Sequence, residues 1–197
     1  MKRQNLRTLT MTAMLAAVSA VLMFFSFSVP FVPSFLKLDF SELPALIASF
    51  ALGPVSGVAV CLVKNLINLM FSTTGGVGEL SNFFLGTAFV LPAGFIYRRI
   101  KNRKSALIGA LTGDILMALL SLVTNYFIVY PFYTAFMPME AIMGMYQAIL
   151  PSISTLWEAL LVFNLPFTFI KGLLSVVITF LIYKKISPLI KGKALAE

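Results

Sequence analysis

The sequence predicts an all-α integral membrane protein, a single bundle of six transmembrane helices over residues 1–197. Hydrophobic residues make up 59% of the chain and charged residues only 11%, with a mean hydropathy of +0.96. Soluble domains carry about 25% charged residues. Apolar segments follow one another without a long polar insert, and most approach the roughly 20 residues that a helix needs to cross a bilayer. Basic residues cluster between these segments, as in multi-pass membrane proteins.

The expected spans are residues 8–29, 41–52, 54–72, 80–97, 106–130 and 160–183. The first has a basic start like a signal peptide, but its apolar run is longer than a typical signal core, so we expect it to be retained. The short connection "LGPVSG" makes the second and third spans antiparallel neighbours. "GPVSG" and "GALTG" place glycines four residues apart, a spacing that allows close helix packing, within this chain or against a partner.

Arginine and lysine orient the bundle. Twelve basic residues fall on one side of the predicted bundle, near the two termini and in the loop between the fourth and fifth spans: Lys2, Arg3, Arg7, Arg98, Arg99, Lys101, Arg103, Lys104, Lys184, Lys185, Lys191 and Lys193. With six spans, both termini and this loop face the same side. The positive-inside rule therefore predicts that both termini are cytoplasmic.

Composition also argues against several functions. The net charge of +8 sits in short clusters beside apolar runs, so nucleic-acid binding is not expected. Cys61 is the single cysteine and histidine is absent, so no intrachain disulfide is possible and a conventional zinc or haem site is not expected. No P-loop, metalloprotease or nucleophile motif occurs, which disfavours an enzyme and an ATPase.

The outward-facing loop "LKLDFSELP" concentrates charge in an apolar chain. Ser41 is a plausible helix N-cap, with Pro44 just inside the helix. The carboxylates of Asp39 and Glu42 either favour the helix dipole or shape a binding pocket at the outer mouth. The segment 131–158, rich in methionine and aromatic residues, is expected to be an outer lid, a half-inserted helix or a purely structural loop.

Polar residues inside the predicted spans are few: Lys64, Asn65, Asn68, Asn82, Asn125, Asn164, Thr168 and Lys171. Facing lipid, such groups cost on the order of 2 to 3 kcal/mol each, so they are expected to face an interior. They form either a ligand pocket or an interhelical hydrogen-bond network. Aromatic residues at the same outer level suit a flat heteroaromatic ligand, although an interfacial aromatic belt explains them equally.

Four stretches, "LKLDFSELPALIASFALGP", "LVKNLINLMFSTTGGVGELSNFFLG", "NYFIVYPFY" and "LPFTFIKGLL", together resemble the riboflavin-specific S components of energy-coupling factor (ECF) transporters. The resemblance covers nearly the whole chain. It implies a prokaryotic cell-membrane protein that captures riboflavin from outside as its transported substrate, with no cofactor. It also implies a transmembrane coupling subunit of the EcfT type and two ATP-binding-cassette ATPases as partners, besides the lipid bilayer.

The polar residues and the resemblance together define the expected substrate-binding set: Leu38, Asp39, Phe40, Ser41, Lys64, Asn68, Asn82, Gly86, Asn125, Tyr130, Asn164, Thr168 and Lys171. Some similar proteins have asparagine at the position of Thr168, so either Thr168 or Asn164 is expected to contact the ligand. In the family, small residues on the first helix contact the coupling subunit; here these are Ala13, Ala16, Ala17 and Ala20. The alternatives are an S component for another vitamin or flavin analogue, and an ion-coupled permease that uses Asp114 and Lys64.

Overall fold

The computed structural model describes residues 2–72 and 74–191 and is mostly helical. Its helices are α1 (Lys2–Phe24), α2 (Glu42–Ala51), α3 (Pro54–Leu69), α4 (Val77–Ile100), α5 (Arg103–Thr124), α6 (Tyr130–Tyr133), α7 (Met139–Gln147), α8 (Leu156–Ala159) and α9 (Leu165–Lys191). A first π-helical segment (Asn125–Val129) joins α5 to α6, and a second (Leu160–Asn164) joins α8 to α9. Lys193, used above to orient the chain, lies outside the described residues.

Four of the described helical stretches have the length and apolar composition to cross a membrane: Asn5–Phe24, Val77–Ile100, Arg103–Tyr133 and Leu156–Ile186. Two further helices, α2 and α3, are apolar but have only 10 and 16 residues. At 1.5 Å of rise per residue, α2 is far shorter than the roughly 30 Å hydrocarbon core. A multi-helix membrane bundle is therefore supported, while the count of six spans is not confirmed.

The first span ends earlier than predicted, because the chain leaves the helix for a small hairpin. Strand β1 (Phe27–Ser28) pairs antiparallel with β2 (Lys37–Leu38). The all-α prediction therefore needs this two-stranded correction, and helix α1 ends at Phe24, before the predicted span boundary at residue 29. The hairpin brings the charged loop that precedes α2 back over the end of α1.

Glycines bring α4 and α5 into close contact. A Cβ added at Gly109 would lie 2.9 Å from the carbonyl oxygen of Ala93, and one at Gly113 would overlap the carbonyl of Phe89. Gly57 lies equally tightly against α2, since a Cβ there would approach that of Ser49 to 2.8 Å. These small residues therefore serve helix packing within this chain.

The buried side chains form two clusters. One lies between α1, α2, α3, α4, α5 and α9 and includes Leu46, Phe89 and Met117. The other joins α7 and α8 to the ends of α5 and α9 and is built around Tyr130 and Tyr146. The predicted outer segment 131–158 is thus folded onto the bundle through an aromatic cluster.

The four alanines of α1 face two directions. Ala13 and Ala17 are exposed, whereas Ala16 and Ala20 are 1% and 3% exposed and pack inside the chain. Residues four apart lie on one face of a helix, so each pair shares a face, and only one pair is on the surface. Of the four alanines predicted to contact a partner, Ala16 and Ala20 are therefore inaccessible, and for Ala13 and Ala17 the contact stays a prediction.

Candidate functional site

A cavity of about 630 Å³ opens at one end of the bundle. Its wall comes from the ends of α1 and α3, from β2, from the later part of α5, from α6 and the two π segments, and from the starts of α2, α4 and α9. The basic loop at 98–104 lies at the opposite end of α4 and α5. Ligand sites for small molecules have volumes of roughly 300 to 1,000 Å³, so this cavity is large enough for a vitamin-sized ligand.

Eight of the thirteen predicted binding residues border this cavity: Asp39, Asn68, Asn82, Asn125, Tyr130, Asn164, Thr168 and Lys171. The structure thus brings together polar residues from five separate parts of the chain. Asn164, Thr168 and Lys171 form the expected stripe, so both candidates for the uncertain ligand contact face the same space. Contact with a ligand stays a prediction for each of them.

Five predicted residues do not border the cavity: Leu38, Phe40, Ser41, Lys64 and Gly86. Around β2 the side chains alternate, and Lys37 and Asp39 border the cavity while Leu38 and Phe40 do not. A Cβ at Gly86 would lie 2.9 Å from the Glu42 carboxylate, so this glycine packs against α2.

Lys171 and Asp39 form an ion pair in the cavity wall. The Lys171 Nζ donates to Asp39 Oδ2 at 2.7 Å, and the two side chains are 11% and 5% exposed. Burial alone would raise the pKa of Asp39, but Lys171, Lys64 and a hydrogen bond from Ser41 outweigh it and lower the pKa to about 2. Asp39 is therefore ionised at neutral pH and acts as a fixed acceptor beside the cavity.

Lys64 is held behind the cavity, where its Nζ donates to Ser41 Oγ and to Glu42 Oε1, both at 2.7 Å. Lys64 and Glu42 are 0% and 1% exposed, so this is a fully buried ion pair. Glu42 itself borders the cavity, but Lys64 and Ser41 do not. Ser41 therefore occupies the N-cap position of α2, as the sequence predicts, but its side chain binds the lysine and makes no capping hydrogen bond.

Two prolines explain the shape of the wall. Each π segment is followed, after one residue, by a proline, Pro131 or Pro166. Proline has no N–H, and its ring clashes with the carbonyl four residues earlier, so regular α-helical bonding fails there. The backbone widens instead to hydrogen bonds that span five residues. As a result Asn125 begins the first π segment and Asn164 ends the second, and both border the cavity.

The amide nitrogen of Asn68 is buried and has no hydrogen-bond partner in the described part of the chain. Asn68 borders the cavity at the end of α3. Buried donors without partners are rare in folded proteins and costly. A bound ligand with an acceptor group next to this nitrogen would give it a hydrogen-bond partner and so remove the cost of burying it unpaired.

Several cavity residues were absent from the expected substrate-binding set. They are polar or aromatic residues of the loops and helix starts, among them Phe35, Lys37, Glu42, Thr74, Glu79, Tyr133 and Phe167. Lys37 and Glu42 lie in the charged stretch "LKLDFSELP" noted above. Residues two apart in an extended segment share a face, so Lys37 could have been predicted to lie on the same side as Asp39. Glu79 accepts hydrogen bonds from Ser72 and Thr74 across the turn between α3 and α4, a contact with no sequence pattern.

Asp114, considered above for ion coupling, lies away from the cavity. It is fully buried in α5, and neither carboxylate oxygen has a partner among the described residues. A Cβ at Gly172 would collide with it, which places the carboxylate against α9. The cavity therefore gives the ion-coupled alternative no support.

Comparison with known proteins identifies the family. A family model described as "ECF transporter, substrate-specific component" matches residues 7–183. The riboflavin transporter RibU of Staphylococcus aureus (strain TCH60) is 35% identical over 189 residues, covering 96% of this chain and 94% of the relative. The riboflavin transporter FmnP of Bacillus subtilis (strain 168) is 33% identical over 196 residues, covering 98% of each.

A solved structure gives the same assignment. The S component of a bacterial ECF transporter superposes with a TM-score of 0.74 at 35% identity, covering 95% of this chain and 99% of that one. The prediction of a transport protein that is not an enzyme is confirmed by the names of these relatives. The chain therefore belongs to the substrate-specific components of ECF transporters.

Proposed function

We propose that this chain binds riboflavin at the outer side of a prokaryotic cell membrane and is the substrate-binding subunit of a vitamin B2 uptake system. The observation that carries the proposal is the amide-lined cavity of about 630 Å³ in a chain whose close relatives are named riboflavin transporters. The cavity is the binding site, and the polar residues that border it are the ligand contacts.

The chemistry of the wall suits this vitamin. Riboflavin has an apolar dimethylbenzene end, a uracil-like edge with alternating donors and acceptors, and a ribityl chain of hydroxyls. Asparagine both donates and accepts, so Asn68, Asn125 and Asn164 can pair with the imide edge or with hydroxyls, whereas Lys171 only donates. Phe35 and Phe167 offer apolar surface to the ring. A ligand without the matching groups would leave these buried polar atoms unpaired, which gives selectivity.

We further propose that both termini and the 98–104 loop are cytoplasmic. The loop is basic, and the cavity lies at the other end of α4 and α5, so the positive-inside rule points the cavity outward. In this arrangement Ala13 and Ala17 lie in the middle part of α1, on the cytoplasmic side of the cavity residues Met23 and Phe24, where they face the coupling subunit. The two ATPases supply the energy, since the sequence contains no P-loop.

Measuring which components are needed for riboflavin uptake tests this assignment. Cells that produce this chain alone should not accumulate labelled riboflavin, and cells that also produce a coupling subunit and both ATPases should. A catalytically inactive ATPase pair is the control and should abolish uptake. Accumulation by the chain alone, driven by an ion gradient, would contradict the proposal and favour a permease.

Replacing Asn125 with alanine is expected to weaken riboflavin binding by about 1 to 3 kcal/mol, because a buried ligand group loses its partner. The dissociation constant would rise by about 5-fold to 150-fold. Quenching of riboflavin fluorescence by the purified protein measures this. Asn65→Ala is the control, since Asn65 is another asparagine of a predicted span, is buried, and does not border the cavity. Equal affinities for the Asn125 variant and the wild type would remove Asn125 from the site.

A further inference from the structure

Three buried side chains form a closed ring of hydrogen bonds beside the cavity. The Tyr146 hydroxyl donates to Asn164 Oδ1 at 2.7 Å, and Asn164 Nδ2 donates to the Tyr130 hydroxyl at 3.3 Å. The two tyrosine hydroxyls also contact each other. Because the single proton of Tyr146 is used on Asn164, Tyr130 must be the donor to Tyr146. Each hydroxyl then donates once and accepts once, and the ring is complete.

The ring fixes the orientation of the Asn164 amide. Its oxygen is held by Tyr146, which does not border the cavity, and its nitrogen by Tyr130, which does. One N–H of Nδ2 remains unused in the ring, on the side of Tyr130. The amide cannot turn over without breaking bonds in a buried site, which is costly. Asn164 therefore offers a hydrogen-bond donor to whatever occupies the cavity.

Tyr146 is held rigidly enough to set this orientation. It is fully buried in α7, and its ring packs against Phe35 and Phe163 with centroid distances of 5.6 and 5.3 Å. Neither of these contacts involves the hydroxyl group. Removing the hydroxyl alone would therefore leave the packing in place while releasing the Asn164 amide.

We propose that Tyr146 is a positioning residue, which acts through Asn164 to present an amide N–H to an acceptor group of the ligand. This rests on the proposed function, since it assumes that riboflavin, which carries carbonyl and hydroxyl oxygens, occupies the cavity. The outer segment α7 thereby contributes to ligand selection without touching the ligand.

A double-mutant cycle on the full chain tests this. Tyr146→Phe, Asn164→Ala and the double variant are purified, and riboflavin binding is measured by fluorescence quenching. We expect Tyr146→Phe to weaken binding by about 10-fold in the wild-type background. In the Asn164→Ala background it should change the affinity by less than about twofold, because residues that act as a unit are not additive. Tyr126→Phe is the matched control, since Tyr126 lies outside the ring and does not border the cavity.

The outcomes separate this inference from the proposed function. If the wild type and the Tyr126 variant do not bind riboflavin, the proposed function fails. If both bind and Tyr146→Phe has no effect, or weakens binding equally in the two backgrounds, Tyr146 has only a packing role and the inference is overturned. An Asn164→Ala variant with wild-type affinity also overturns it, because the positioned amide would then not contact the ligand.

Discussion

Replacing Lys64 with methionine is expected to lower the free energy of unfolding by about 3 to 5 kcal/mol, which is the usual cost of removing one partner of a buried ion pair. Lys64 is fully buried and donates to Glu42 and Ser41. Without it, the Glu42 carboxylate would be left in a low-dielectric interior with no counter-ion in contact. Reversible denaturation of the purified protein in detergent micelles measures the change.

A second variant separates charge from packing. Lys64→Met combined with Glu42→Gln leaves no buried charge at this position and should recover most of the lost stability. Lys104→Met, at an exposed lysine of the basic loop, is the control for loss of a positive charge and should change little. Wild-type stability in the Lys64 variant, or no recovery in the double variant, would contradict the role given to this ion pair.

Replacing both Ala13 and Ala17 with tryptophan is expected to abolish riboflavin uptake into cells while sparing riboflavin binding by the isolated protein. The two alanines are exposed in the structure, and small side chains let helices approach closely where lipid provides no hydrophobic drive. On α1 the cavity is bordered by Met23 and Phe24. Met23 lies about 9 Å of helix rise beyond Ala17, and helix side chains tilt toward the N-terminus, so the tryptophans would point away from the cavity. Uptake of labelled riboflavin and fluorescence titration measure the two properties separately.

The control places tryptophan on a different exposed helix face. Leu116→Trp with Leu119→Trp on α5 changes side chains that are 45% and 52% exposed and should leave uptake unchanged. Normal uptake in the α1 double variant would contradict the proposed contact with a coupling subunit. Loss of riboflavin binding in that variant would also contradict it, because the damage would then lie within this chain.

Much of the site was predictable because polar and charged side chains are costly in a helix that faces lipid. The sequence alone indicated that Asn125, Asn164 and Lys171 face an interior, and the structure places all three on one cavity. Which charges pair with each other was not predictable. Lys171 and Asp39 are 132 positions apart in the chain, and only the folded bundle brings them together. Lys64 was expected to face the cavity, but it forms an ion pair with Glu42 and does not border the cavity.

The local backbone conformation was less predictable from the sequence than the set of residues that face an interior. The apolar run as far as residue 29 reads as one helix, and pairing between β1 and β2 overrides this tendency. The prolines at 131 and 166 signal helix distortion, yet a sequence does not say whether a helix breaks, kinks or widens into a π segment. No sequence pattern singled out Tyr146, because its hydrogen-bonded ring with Tyr130 and Asn164 depends on how α7 folds back onto the bundle.

The central claim is that the cavity of this chain binds riboflavin, and titration of the purified wild-type protein with riboflavin tests it most directly. Quenching of the flavin fluorescence should saturate at a single site, and an excess of unrelated vitamins such as thiamine or biotin should not displace the flavin. The Asn125→Ala variant should show the same saturation at weaker affinity. Absence of quenching, or displacement of riboflavin by an unrelated vitamin, would contradict the assignment of this cavity.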